Sequence, residues 1–396
     1  MDATNATQAA IRGRWAVAAM FFINGFILGS WAPQIPEFAT RLAISEFTLG
    51  LLILCFGLGA VVAMVAAGHL IARYGSQTTL RIFAIVAIFG LLIVALAPTV
   101  PVAAVALFLF GGSIGAMDVS MNSNAVVVER KLARAVMSSS HGFWSLGGFA
   151  GGGMGGILIQ NFGHLNHAFL VTLIALVGIG VAFRHVIADD QPAVQEQQKF
   201  SLPRDPMIYV LGFMALLCMN SEGAVLDWAA LYLRQELGTD IATAGFAFAF
   251  FSGAMAIMRF AGDGIRNRYG AVKTFRVSAI ISAAGMLVAG LTPWPWLSIA
   301  AFAFCGLGIA NMVPILFSAA GNHPGVSSGT GMSVVTTMGY SGILVAPSLI
   351  GFVGGKVGFS PVYVAVALLL GLVFLMSGLT RAADLNHDTV KDPVPI

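Results

Sequence analysis

The chain has 396 residues, of which 58% are hydrophobic and 9% charged, with a formal net charge of +3. A soluble domain of this length carries about 25% charged residues, so the composition excludes a soluble fold and makes lipid the solvent. The basic residues flank apolar runs and form no stripe, which excludes a nucleic-acid partner.

A membrane-spanning helix needs about 20 largely apolar residues. The sequence predicts twelve, at 14–34, 47–72, 79–97, 101–127, 137–161, 165–187, 206–233, 241–262, 274–292, 296–320, 328–353 and 360–380. The expected fold class is therefore all-α and integral to a membrane. The polar start, MDATNATQAAIRGR, precedes a run too long for a signal-peptide core, so that run is read as the first span. It carries Asn24 at mid-depth.

The fourth span is interrupted by polar residues in GAMDVSMNSNAVVVER, 115–130. Asp118, Asn122, Ala125 and Glu129 follow helical spacing and share one face. At about 1.5 Å per residue, Asp118 lies roughly 16 Å from Glu129. Asp118 is thus expected inside the hydrocarbon. Glu129 is expected near its edge, where Arg130, Lys131 and Arg134 make it a surface ion-pair partner. A carboxylate at the bilayer centre costs about 2.5–3.5 kcal/mol, so such groups face a cavity or a partner.

The fifth span presents Ser138, His141, Ser145, Gly148 and Gly152 at spacings of three and four. Counting back from the loop at 130–136 places His141 level with Asp118, and a His–Asp contact is expected. Trp144, one turn away, is placed to stack on a sugar face. The glycines read as close-packing residues.

The stretch 188–205, ADDQPAVQEQQKFSLPRD, reads as a linker between two six-helix halves, 1–187 and 206–396. In the seventh span, NSEGAVLDW carries Asn220, Glu222 and Asp227. Glu222 is the cavity candidate. Asp227, nearer the far end with Arg234 and water at hand, reads equally as a gate residue or a solvated helix end. Arg259 and Asp263 are spaced i, i+4 at the end of the eighth span, where an ion pair is expected, as a clamp or a gate. Asn311 stands in the tenth span. Thr336, Thr337 and Tyr340 offer hydroxyls in the eleventh. Cys55, Cys218 and Cys305 lie inside apolar runs without metal-ligand spacing.

Placing the N-terminus in the cytoplasm puts 17 of the 20 Lys and Arg residues on that side and leaves Arg41, Arg234 and Lys356 outside. Both termini are then cytoplasmic. The chain also repeats itself. RYGSQTTLR at 73–81 returns as RYGAVKTFR at 268–276, and GAMD at 115–118 as GIAN at 308–311. Parallel halves of this kind suit a transporter whose site lies at their interface.

These motifs resemble the major facilitator superfamily over almost the whole chain. The RYG loops stand where that family has its gating loop, Gly-x-x-x-Asp-Arg-x-Gly-Arg-Lys. Gly68, Arg73 and Gly75 fit, while Ala72 replaces the acid. MDVSMNSNAVVVER, MSSSHGFWSLGG and EGAVLDW are similar to the bacterial branch of fucose–proton symporters and rhizopine transport proteins. The resemblance implies gating at Arg73 and a coupling carboxylate near Glu129.

No Lys or Arg falls in the middle of an apolar run, so Asp118 and Glu222 are expected to lack a fixed cationic partner. Burial disfavours a charged carboxylate, which then takes a proton. The expectation is a proton-coupled symporter of a small neutral or cationic solute, a monosaccharide or cyclitol, with Asp118, Glu222 and Glu129 as proton carriers. Solute contacts are expected from Asn24, Asp118, Asn122, His141, Trp144, Ser145, Asn220, Glu222, Asn311, Thr337 and Tyr340, and gating from Arg73, Asp227, Arg259 and Asp263. Proton-driven efflux of cationic or amphipathic compounds is the alternative. The neutral Asn311 opposite Asp118 assigns proton chemistry to the first half and neutral hydrogen bonding to the second. A membrane enzyme is disfavoured, since neither Gly-x-Ser-x-Gly nor His-Glu-x-x-His is present. No cofactor or metal beyond the coupling proton is expected. The expected setting is a bacterial inner membrane, with the chain working as a monomer.

Overall fold

The computed structural model describes residues 3–132, 134, 136–189 and 203–384. Most of the predicted linker, 190–202, and the tail from 385 lie outside the described residues, Lys199 and Lys391 among them. The described chain is helical: α1 (Ala3–Trp31), α2 (Gln34–Leu42), α3 (Glu46–Ile88), α4 (Gly90–Leu96), α5 (Val100–Leu132), α6 (Met137–Phe183), α7 (Pro206–Gln235), α8 (Ile241–Tyr269), α9 (Ala271–Leu291), α10 (Pro295–Ile309), α11 (Met312–Gly321), α12 (Ser328–Val357) and α13 (Phe359–Leu375). A 3-10 segment, Ser377–Ala383, follows α13 with a bend of 57°.

Nine described helices are long and apolar enough to cross a membrane, or ten if the bent pair counts as one span. Two are double. Glu46–Leu96 has 51 residues and Met137–Phe183 has 47. Straight rods of that length would be roughly 70–77 Å long, over twice the hydrocarbon thickness. Each instead turns back at one glycine, Gly75 (φ 80°, ψ 163°) or Gly163 (φ 82°, ψ 162°). That region of backbone space is essentially reserved for glycine. Helix α3 packs onto α5 with Gly59 against Phe108, and α4, continuing its second arm, with Gly90 against Phe110. With the two double helices counted as four arms, and the bent pair at Phe359–Ala383 as one span, the described helices make up the twelve spans.

The tenth span departs from expectation. It breaks at Ala310–Asn311 between α10 and α11. Pro314 lacks an N–H and its ring clashes with the carbonyl of residue 310, which ends a helix there. The short α2 was not expected either. It lies over the ends of the spans opposite the RYG loops, where Gln34 donates to the His164 carbonyl (3.0 Å) and pairs with His167 Nδ1 (2.9 Å).

The spans pack through small residues, as lipid supplies no hydrophobic drive between helices. A Cβ built on Gly25 of α1 would lie 2.0 Å from the Trp144 carbonyl of α6. The first half (α1–α6) meets the second along α6 and α8, where Ser252 donates to the Ser145 carbonyl (2.8 Å) and Ser138 to the Arg259 carbonyl (2.9 Å). At the end opposite the arginine-rich RYG loops, Ser348 of α12 donates to the Gly50 carbonyl of α3 (3.2 Å) and Gln235 to Glu46 (3.1 Å). The halves are thus closed at this far end.

Candidate functional site

The polar residues of six spans converge between the halves. From α1, Asn24 is 1% exposed. It donates to the Ile114 carbonyl (3.2 Å) and accepts from Trp144 Nε1 (2.9 Å). From α5, Asp118 and Asn122 are half-buried, and Asn122 donates to the Asp118 carbonyl (2.9 Å). His141 of α6 bonds through Nε2 to Asn122 Oδ1 (3.1 Å) and meets the Phe21 ring edge-on. The expected His–Asp contact is therefore replaced by a His–Asn contact, one helical turn further along α5.

The largest correction is a cation. The sequence places Arg259 at the end of the eighth span, paired with Asp263. The side chain of Asp263 lies outside the described residues. Arg259 itself turns into the cluster: Nη1 donates to Ser145 Oγ (2.5 Å), and Nη2 stands 3.8 Å from Glu222 Oε2. Its guanidinium covers the Trp144 ring, 5.6 Å from the centroid. Glu222 thus has the fixed partner it was expected to lack, and the face of Trp144 expected to meet a sugar is taken by Arg259. The position alone misled, because a long side chain moves its charge a full turn from its Cα.

Tyr340 of α12 is near enough to feel the charges of Asp118, Glu222 and Arg259. Thr337, one turn before it, is exposed. Asn220 and Asn311 are outside the hydrogen-bonded network. Asn220 Oδ1 and Asn311 Nδ2 are buried without partners among the described residues, packed against Gly342 and Gly262. Among the described residues, no cation lies within ion-pair distance of Asp118. Glu222 and Arg259 both belong to the second half, so charge is not confined to the first.

Other candidates are placed elsewhere. Among the described residues, Glu129 forms no ion pair and no part of the cluster. Its Oε1 accepts from the backbone N–H groups of Val136 (2.6 Å) and Met137 (2.9 Å), capping α6. Asp227 is 8% exposed rather than solvated, and Arg234 donates to the Thr239 carbonyl (3.1 Å) instead. Arg73 is exposed, stacked on Tyr74 at 5.1 Å. Two surface depressions of about 270 Å³ lie away from the cluster, one between α2 and α7 and one between α9 and α13.

Sequence reading missed the residues that hold the loops. Asp189 accepts from the Ser76 N–H (2.6 Å) and Ser76 Oγ (3.0 Å), and Asp384 accepts from the Ala271 N–H. The signal was present, since both acids lie 195 residues apart, the spacing of the RYG repeat.

Comparison with known proteins agrees with this architecture. The Major Facilitator Superfamily model matches residues 15–347 and again 208–393. An uncharacterized MFS-type transporter of Yersinia pestis is 33% identical over 366 residues, covering 92% of this chain and 95% of that protein. Membrane protein MosC of Rhizobium meliloti is 32% identical over 349 residues, covering 87% and 84%. Among solved structures, the nucleoside transporter NupG matches with a TM-score of 0.70 at 11% identity, over 93% of this chain and 98% of that one. The E. coli fucose:proton symporter FucP matches with a TM-score of 0.63 at 16% identity, over 94% and 99%. With its twelve spans in two repeated halves, the chain belongs to the Major Facilitator Superfamily and is a multi-pass membrane transporter rather than an enzyme.

Proposed function

We propose that the protein is a proton-coupled symporter that carries a small polar solute, a monosaccharide or cyclitol, neutral or cationic, by alternating access. The observation that supports this most is Asp118. Two carboxylates, Asp118 and Glu222, share a cluster with one guanidinium, and that guanidinium is engaged by Glu222 and Ser145. One negative charge is left without a counter-charge in a lipid-enclosed bundle. A proton on Asp118 removes it, and a solute hydroxyl then completes the hydrogen bonding. Solute without the proton leaves that charge uncompensated and is not carried. After both are released, water solvates the carboxylate, and the empty, deprotonated carrier returns to complete the cycle. The fold shared with a fucose:proton symporter is consistent with this cycle.

The remaining parts follow the same reading. The halves 1–187 and 206–396 rock about the cluster, joined by the linker 188–205. The arginine-rich end faces the cytoplasm of a bacterium, with both termini there. The chain works as a monomer in its inner membrane, with the proton as sole coupling ion.

Proteoliposome flux tests this. An imposed pH gradient drives accumulation of radiolabelled monosaccharide or cyclitol in the wild type, and added solute alkalinises the medium around right-side-out cells. Accumulation driven by a sodium gradient alone, or export of lipophilic cations without competition from polyols, contradicts the reading.

A further inference from the structure

The reading above admits both neutral and cationic solutes, and Arg259 separates them. Its side chain is 16% exposed and that of Glu222 24%, so both are partly accessible within the cluster. The separation of 3.8 Å between Nη2 and Oε2 is too long for a hydrogen bond. Among the described residues, neither Glu222 oxygen nor the Tyr340 hydroxyl has a hydrogen-bond partner. A guanidinium only donates and a carboxylate only accepts, whereas a hydroxyl does both.

Resting on the cluster as the solute site, we propose that Arg259 is its specificity-determining residue, selecting a neutral polyhydroxylated solute over a cationic amine or an acid. One solute hydroxyl accepts from the Arg259 fork and donates to Glu222. An ammonium group satisfies Glu222 but sets a second positive charge beside Arg259. A carboxylate satisfies Arg259 but, with Asp118 holding its proton, adds a second negative charge beside Glu222. The fork is fixed on its other side by Ser145 and Trp144, so it presents a set direction that a flexible lysine ammonium does not. The fixing residues come from the first half and the guanidinium from the second, so the filter exists only where the two halves meet.

Calorimetric binding to the purified full-length protein tests the idea, with three probes: a cyclitol, its aminocyclitol analogue and a uronic acid. The wild type is expected to bind the cyclitol about tenfold or more tightly than either charged probe. Arg259→Lys keeps the charge but not the fork. It should lose about tenfold in cyclitol affinity while still rejecting the aminocyclitol. Arg259→Gln removes the charge, and the ratio between cyclitol and aminocyclitol should fall towards one. Thermal unfolding reports whether each variant is folded, and Arg259→Lys decides the matter if Arg259→Gln is not. Preference of the wild type for the amine or the acid, absence of cyclitol binding, or Arg259→Lys binding that matches wild type would overturn the proposal. Proton-driven accumulation of the aminocyclitol would overturn it and leave symport standing. Selective cyclitol binding without proton-driven accumulation would do the reverse.

Discussion

Gly75 and Gly270 stand 195 residues apart and adopt one backbone conformation, φ 80°, ψ 163° and φ 82°, ψ 163°. Around them the main contacts repeat. Thr79 and Thr274 donate to the carbonyls of Gly75 and Gly270, at 2.9 and 2.7 Å. Asp189 and Asp384 cap the helices that follow. Arg81 donates to the Phe183 carbonyl (2.8 Å) and Arg276 to Ser377 (3.1 Å). The centre of the molecule repeats nothing of the kind. Asp118 lies in an unbroken helix, while its counterpart Asn311 sits at a helix break. Ser145 and Tyr340, again 195 apart, both face the cluster with different chemistry. The loops answer to backbone geometry, which is the same in both halves. The centre answers to a cargo, which is not symmetric.

That contrast can be broken most sharply at Asn311. Asn311→Asp puts a carboxylate into a buried site against Gly262, and it should destabilise the protein by about 3 kcal/mol or more. Asp118→Asn should change stability little, as the cluster then loses an unbalanced charge. Thermal unfolding in detergent compares them, and equal effects would make the two positions equivalent after all. The loops should behave in the opposite way. Gly75→Ala and Gly270→Ala should each cost roughly 1–3 kcal/mol, by similar amounts, because both place a Cβ where only glycine is at ease. Smaller still, Asp189→Ala and Asp384→Ala should each cost about 1 kcal/mol, as the loss of a helix cap does. A marked difference within either pair would end the claim of a shared scaffold.

The smallest effect concerns an exposed clasp between the end of the linker and the second half. Asp205 accepts from the Met207 N–H (2.9 Å) and lies 2.8 Å from His323 Nε2. The His323 contact, then the Met207 bond, hold its carboxyl below the ordinary carboxylate range. A depressed carboxyl stabilises the fold fully above its unfolded-state value and loses that contribution as pH falls through its folded value. Asp205→Asn should therefore melt slightly below wild type at neutral pH, with the difference vanishing in acid. A difference that grows in acid would reverse the sign.

The spans, the duplication and the membrane setting were legible because hydropathy and repeat spacing act through composition. Asp118 was legible because a lone carboxylate in an apolar run has few reasons to exist. The rest depended on reach and backbone. Arg259 was misplaced because its Cα lies three residues from the end of the apolar stretch Ile241–Gly262, while its guanidinium is further in. Glu129 read as a surface charge, because nothing in the sequence shows that the next helix turns its first N–H groups towards it. Pro314 did announce the break in the tenth span, but hydropathy passed over it.

The central claim is that Asp118 carries the coupling proton, and Asp118→Asn in proteoliposomes tests it most directly. The predicted result is loss of pH-gradient-driven accumulation with solute-for-solute exchange retained, since a permanently neutral site can cross loaded but cannot release a proton. Full accumulation by Asp118→Asn, with solute still drawing protons inward, would contradict it.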